Sequence, residues 1–139
     1  PDADVPVVQL SIDERRPAIW HYDLATRLRP LRDESVMIVG SGNIVHNLRA
    51  YDWGGGDIEP FESGLRFDHR ARELIVSGDH EPLKHYERMG ADALFAAPTP
   101  EHFLPLLYVL AIGEQDDKVS FPVEGFDGGS ISMLTVRLG

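Results

Sequence analysis

At 139 residues the chain is long enough to bury one hydrophobic core and too short to require two. Its 23 acidic residues against 13 basic ones leave a formal charge of −10, which repels phosphate backbones and anionic lipid and so argues against nucleic acid and membrane surfaces as partners. The absence of cysteine removes disulfides, thiolate nucleophiles and Cys-based zinc modules, leaves His, Asp and Glu as the available metal ligands, and fits a cytoplasmic protein.

The chain opens at Pro1 without an initiator Met and enters almost at once the apolar, β-branched run Val5 to Ile12, which predicts a buried strand ended by Asp13 and Glu14. A domain start usually has a looser lead-in, so the sequence reads as a piece cut from a longer protein. Pro17 suits a first helical turn, and Trp20, Leu24, Leu28 and Leu31 recur at helical spacing, giving an amphipathic helix that Pro30 frays. Val36 to Val39 is a short apolar run stopped by Gly40-Ser41-Gly42-Asn43, as a central strand feeding a tight turn would be. Strand, crossover helix and strand imply parallel pairing.

Residues 53 to 57 read as a flexible Gly-rich loop, Phe61 to Val76 as an amphipathic helix and Pro82 to Met89 as a short one. The apolar stretch Phe103 to Ile112 suits a buried helix and falls well short of a membrane span. Strands near Lys118 to Val123 and Ser130 to Leu138 close the pattern. The expected fold class is α/β, a layered sandwich with a mixed, mainly parallel central sheet flanked by helices, and chemistry in the loops at the strand ends.

Six histidines are the candidate ligands and proton carriers. His21 and His69 lie on predicted helices, and the spacing of His80 and His85 does not put them on one helical face, so these four read as packing or solvated residues. His46 follows an apolar strand and a Gly-rich turn, where glycines permit close backbone approach to a ligand; the bland reading is a turn with a capping histidine. Gly40 and Gly42 begin a G-x-G-x-x-G pattern, but Val45 stands at the third glycine, so a phosphate loop is poorly supported. His102 sits in Pro98-Thr99-Pro100-Glu101-His102-Phe103-Leu104-Pro105, near a helix N-terminus whose dipole favours the neutral, metal-binding imidazole. Its bland reading is a filler of a capping position.

Together, G-S-G-N-I-V-H-N-L-R and P-T-P-E-H-F-L-P-L-L resemble the signature segments of the class III extradiol ring-cleaving dioxygenases, in the DOPA 4,5-dioxygenase branch. Residues 6 to 13, 30 to 34 and 129 to 134 resemble the same family in the same order, so the likeness runs over essentially the whole chain. It implies that His102 binds the active-site metal and that His46, beside the metal, serves as acid and base and can also act as a ligand. Glu101 is a weaker ligand candidate. The family's other ligand histidines lie in an N-terminal half, in segments resembling H-G-S-P and S-A-H-W, and a further histidine near the site lies in one resembling D-H-G-x-W. None of these segments occurs here.

The resemblance therefore implies that residues 1 to 139 are the C-terminal part of a single catalytic domain, with the missing N-terminal half as their first partner. The cofactor would be one Fe(II) or Zn(II) ion per site, and the substrates a catechol-type aromatic compound and O2. A non-haem iron site of this type needs three protein ligands with open positions, so the isolated chain is expected to be inactive. Two other readings stay open at this point: a zinc-dependent hydrolase on the same scaffold, and a noncatalytic interaction module whose histidines are packing residues.

Overall fold

The computed structural model describes residues 4–56 and 58–139. Among these residues four α-helices precede four two-residue strands, with one 3-10 turn after each of the first two helices: α1 (Ala18–Thr26), α2 (Glu62–Ser77), α3 (Ala91–Ala96), α4 (Leu104–Ala111), β1 (Val119–Ser120), β2 (Phe126–Asp127), β3 (Ile131–Ser132) and β4 (Arg137–Leu138). Pro17, extended at φ −67° and ψ 155°, leads into α1, and Gly78 in the left-handed region ends α2, where a side chain would be strained. The expected loop over 53 to 56 is present, and its last residue, Asp57, lies outside the described residues.

α2 presents Phe67, Ala71, Leu74 and Ile75 to a core completed by Ala93 and Ala96 of α3, Leu104, Leu107 and Leu110 of α4, and Ile44, Val45 and Phe103. α1 packs on α4 through Ala18, His21 and Ala25. This face differs from the expected one: Leu24 and Leu28 are partly buried, but Trp20 is 38% exposed and stacks beneath the Arg16 guanidinium. Small side chains let α1 approach α4, and the large indole is turned to the edge of the contact.

The two predicted N-terminal strands are where structure and expectation part. No parallel pair forms among the described residues: β1 pairs with β4 and β2 with β3, both antiparallel. Residues 5–12 and 37–42 enter no backbone hydrogen bond among the described residues. Most of their apolar side chains face solvent, with Val7 89%, Val8 93%, Met37 85% and Val39 77% exposed, while Ile12 packs against the core. The reason is physical rather than local: a strand needs a neighbour to satisfy its N–H and C=O groups, and none is available to either segment here.

Candidate functional site

His46 and His102 come from segments distant in the chain, and the close approach of two backbones brings them together. Asn43 donates its backbone N–H to the His102 carbonyl at 2.9 Å. A Cβ on Gly42 would lie 2.2 Å from the His102 carbonyl oxygen, and one on Gly40 would lie 2.6 Å from that of Pro105. The two glycines are therefore required where this turn lies on the entry to α4, and the close approach they permit is to protein backbone.

β3 fixes the other side of the His46 segment. Ser132 N–H donates to the Val45 carbonyl at 3.0 Å, His46 bridges Ile131, and Asn47 N–H donates to the Ser130 carbonyl at 3.1 Å. His46 also donates its own N–H to the Ala96 carbonyl at 2.7 Å. His102 lies in the turn just before α4, and Pro105 falls within that helix's first turn, where its missing N–H costs nothing. Thr99 caps no helix; its hydroxyl donates to Glu101 Oε1 at 2.7 Å.

The imidazoles of His46 and His102 stack, with ring centroids 3.5 Å apart and planes inclined by 14°. Burial pushes the His46 pKa down, the nearby His102 pushes it the same way, and the Glu101 carboxylate opposes both. Burial pushes the Glu101 carboxyl up, but its bonds to Thr99 and to backbone N–H and the two imidazoles outweigh this and hold it below the usual carboxylate range. The pair is partly exposed, and His102 borders a cleft of about 290 Å3 walled by Gly40, Gly42, Pro105, Val109 and Val136. A pair of stacked imidazoles, one of which borders an open cleft, has the chemistry to ligate a metal or to exchange a proton.

The other four histidines lie elsewhere. His21 is fully buried; its Nε2–H donates to the Asp13 carbonyl at 3.1 Å and its Nδ1 accepts from the Tyr108 hydroxyl at 2.8 Å. His80 Nδ1 pairs with the Tyr22 hydroxyl at 3.0 Å, while His69 and His85 sit 3.5 Å from Glu73 and Glu81 respectively.

Comparison with known proteins gives this geometry a family. The description "catalytic LigB subunit of aromatic ring-opening dioxygenase" fits residues 1–138. The chain belongs to this LigB family. It is 45% identical to 4,5-DOPA dioxygenase extradiol of Escherichia coli (strain K12), over 100% of the chain and 52% of that relative. Proteins of the same name from Beta vulgaris and Portulaca grandiflora are 32% and 31% identical, over 95% and 99% of the chain and 48% and 50% of their own lengths. The crystal structure of an uncharacterized protein from Escherichia coli K12 superposes with a TM-score of 0.91 at 42% identity, covering 100% of this chain and 57% of that one. The chain thus spans about half the length of the curated relatives it matches.

Two imidazoles in contact suit part of a LigB-family metal centre, yet among the described residues no group of three His, Cys, Asp or Glu side chains is placed to hold an ion. The donor set fits and is incomplete. Sequence reasoning passed over the polar residues behind the pair: Asp68, Ser132, Asn43 and Asn47. Asp68 had a readable signal, because it falls in the buried stripe of α2 beside Phe67 and Ala71.

Proposed function

We propose that this chain is the C-terminal part of an extradiol ring-cleaving dioxygenase domain, which opens a catechol-type ring with O2 at a non-haem metal site. The observation that carries the reading is the stacked His46–His102 pair, set in a chain that belongs to the LigB family along its length. His102 would hold the metal, with His46 beside it as acid and base and as a possible further ligand; the remaining ligands would come from the half of the family domain that this chain does not span. Fe(II) is the ion suited to the oxygen chemistry, and Zn(II) would fill the same imidazole donors without redox activity. When bound, the metal supplies Lewis acidity and a route for electrons between the aromatic ring and O2.

The chain's own residues account for the proton handling. His46, kept neutral by burial and by its neighbour, takes a proton from a catechol hydroxyl and returns one as the ring opens. Glu101 stays ionised and lies close enough to both imidazoles to favour the cation that forms. The substrate is of the DOPA type, by extension from the names of the relatives.

The same reading accounts for the solvent-facing segments 5–12 and 37–42. We infer that strands of the other half pair with them, which would produce the mixed, mainly parallel sheet of a layered α/β domain. The family match and the relatives' names favour oxygen chemistry over a zinc hydrolase. Oxygen uptake by the longer protein with Fe(II) and L-DOPA tests the function, and ring-opened product should appear with it. The isolated 139-residue chain with Fe(II) should give none. Hydrolysis under anaerobic zinc conditions with no oxygen uptake would replace the proposal.

A further inference from the structure

α2 carries a carboxylate where the helical pattern calls for an apolar residue. Asp68 is on the core face of α2, with its side chain only 7% exposed. Burying an ionised carboxylate is costly unless its oxygens are satisfied. Here each oxygen has a partner: Oδ1 accepts from the Ser132 hydroxyl at 2.6 Å, and Oδ2 accepts from Arg72 Nε at 2.6 Å. Arg72 continues to Glu124 at the surface.

Ser132 is fully buried, and every polar atom it owns is engaged. Its N–H holds the Val45 carbonyl at 3.0 Å, its carbonyl accepts from Asn43 Nδ2 at 2.8 Å, and its hydroxyl accepts from Leu134 N–H at 3.2 Å while donating to Asp68. Val45 directly precedes His46 in the chain, and Asn43 binds the His102 carbonyl. One serine thus fastens the backbone leading into the first imidazole and the asparagine that clasps the turn of the second. What fixes that serine is a carboxylate on a helix 64 residues away in the chain.

We propose that Asp68 is a positioning residue for the His46–His102 pair, acting through Ser132; the inference rests on the reading of that pair as the reactive centre. The alternative role, a buried ion pair that stabilises the fold and nothing more, makes a different prediction. Without an acceptor at position 68 the Ser132 hydroxyl turns to another partner, β3 shifts, and the two rings lose their registration while the core stays filled. A displacement of this kind removes rate without removing substrate affinity.

The test uses the longer, metal-loaded protein with Asp68→Ala, Asp68→Asn and Ser132→Ala. Asp68→Ala should lower kcat about ten- to hundredfold, leave KM and metal content within about twofold, and separate the ring centroids beyond 3.5 Å in a crystal structure. Asp68→Asn keeps one acceptor oxygen, for which the Ser132 hydroxyl and Arg72 Nε–H compete, and should recover part of the rate. Ser132→Ala, which breaks the link at its other end, should reproduce the alanine phenotype and serves as the test if Asp68→Ala does not fold. Variants that lose only melting temperature, with kcat per metal-loaded site and ring geometry intact, would overturn the proposal. The ring geometry is measurable even if the parent protein cleaves no catechol, so failure of the functional reading would be seen separately.

Discussion

Asn43 binds the His102 carbonyl through its backbone N–H at 2.9 Å, so the loop that leads to one imidazole is clasped to the turn that carries the other. The clasp requires two backbones to meet without an intervening side chain, and Gly42 is where they meet most closely.

Gly42→Ala should therefore be costly in a way that glycine substitutions elsewhere are not. A methyl group 2.2 Å from the His102 carbonyl oxygen forces the two segments apart, and overpacking of this kind typically costs about 1–3 kcal/mol. Gly64→Ala on α2 is the control, since its added Cβ would meet nothing nearer than 3.4 Å and the helix gains about 0.5–1 kcal/mol in backbone entropy. Urea denaturation of both variants checks this. Equal midpoints would show that the clasp is not under steric constraint.

The two histidines should separate by role in the longer protein. His46→Phe keeps an aromatic ring stacked on His102 but removes the proton carrier, so kcat should fall about 10²–10⁴-fold with most of the metal retained. His102→Ala should lose the metal itself. Metal analysis beside steady-state oxygen uptake distinguishes them, and a His46→Phe protein turning over at the parent rate would remove His46 from the chemistry.

The histidine motifs were legible as motifs, because turn glycines before His46 and the proline-rich entry to α4 before His102 are local signals. Their convergence was implied by the family resemblance alone, since spacing along the chain says nothing about which turns will meet. The Asp68–Ser132 link was illegible for the same reason: an acid in an apolar stripe signals a buried partner without naming it. Helices were read well where an amphipathic stripe was long, as in α2, and less well in α1, where alanines rather than Trp20 make the contact. The apolar runs at 5–12 and 36–39 read as strands from their composition and form none among the described residues, because strand formation is a property of pairs and neither run has a neighbour to pair with here.

Stability should fall with acid because of His21. Burial holds this imidazole neutral, with its pKa below the ordinary value of 6.5. The unfolded chain then binds a proton at a pH where the folded chain does not, so stability is fully present above pH 6.5 and is lost as pH falls from there towards the depressed folded-state value. Lowering of the His80 pKa, by burial and then by Lys84, acts in the same direction. Melting temperatures of the parent and of His21→Asn across this range should converge at low pH. A pH slope unchanged by the substitution would assign the acid sensitivity to other groups.

Amide exchange can test the proposed sheet directly. The N–H groups of residues 7–12 and 37–42 make no backbone hydrogen bond among the described residues, so in the isolated chain they should exchange nearly as fast as in an unfolded peptide, while amides of α2 and α4 remain protected. In the longer protein, pairing with new strands should slow those same amides to rates set by sub-global or global opening. The side chains should change state together with the backbone, because Val7, Val8, Met37 and Val39 are the groups now left in water and burying each contributes on the order of 1.5–3 kcal/mol. Fast exchange at both segments in the longer protein would mean that the other half docks elsewhere, and the parallel-sheet reading would be withdrawn.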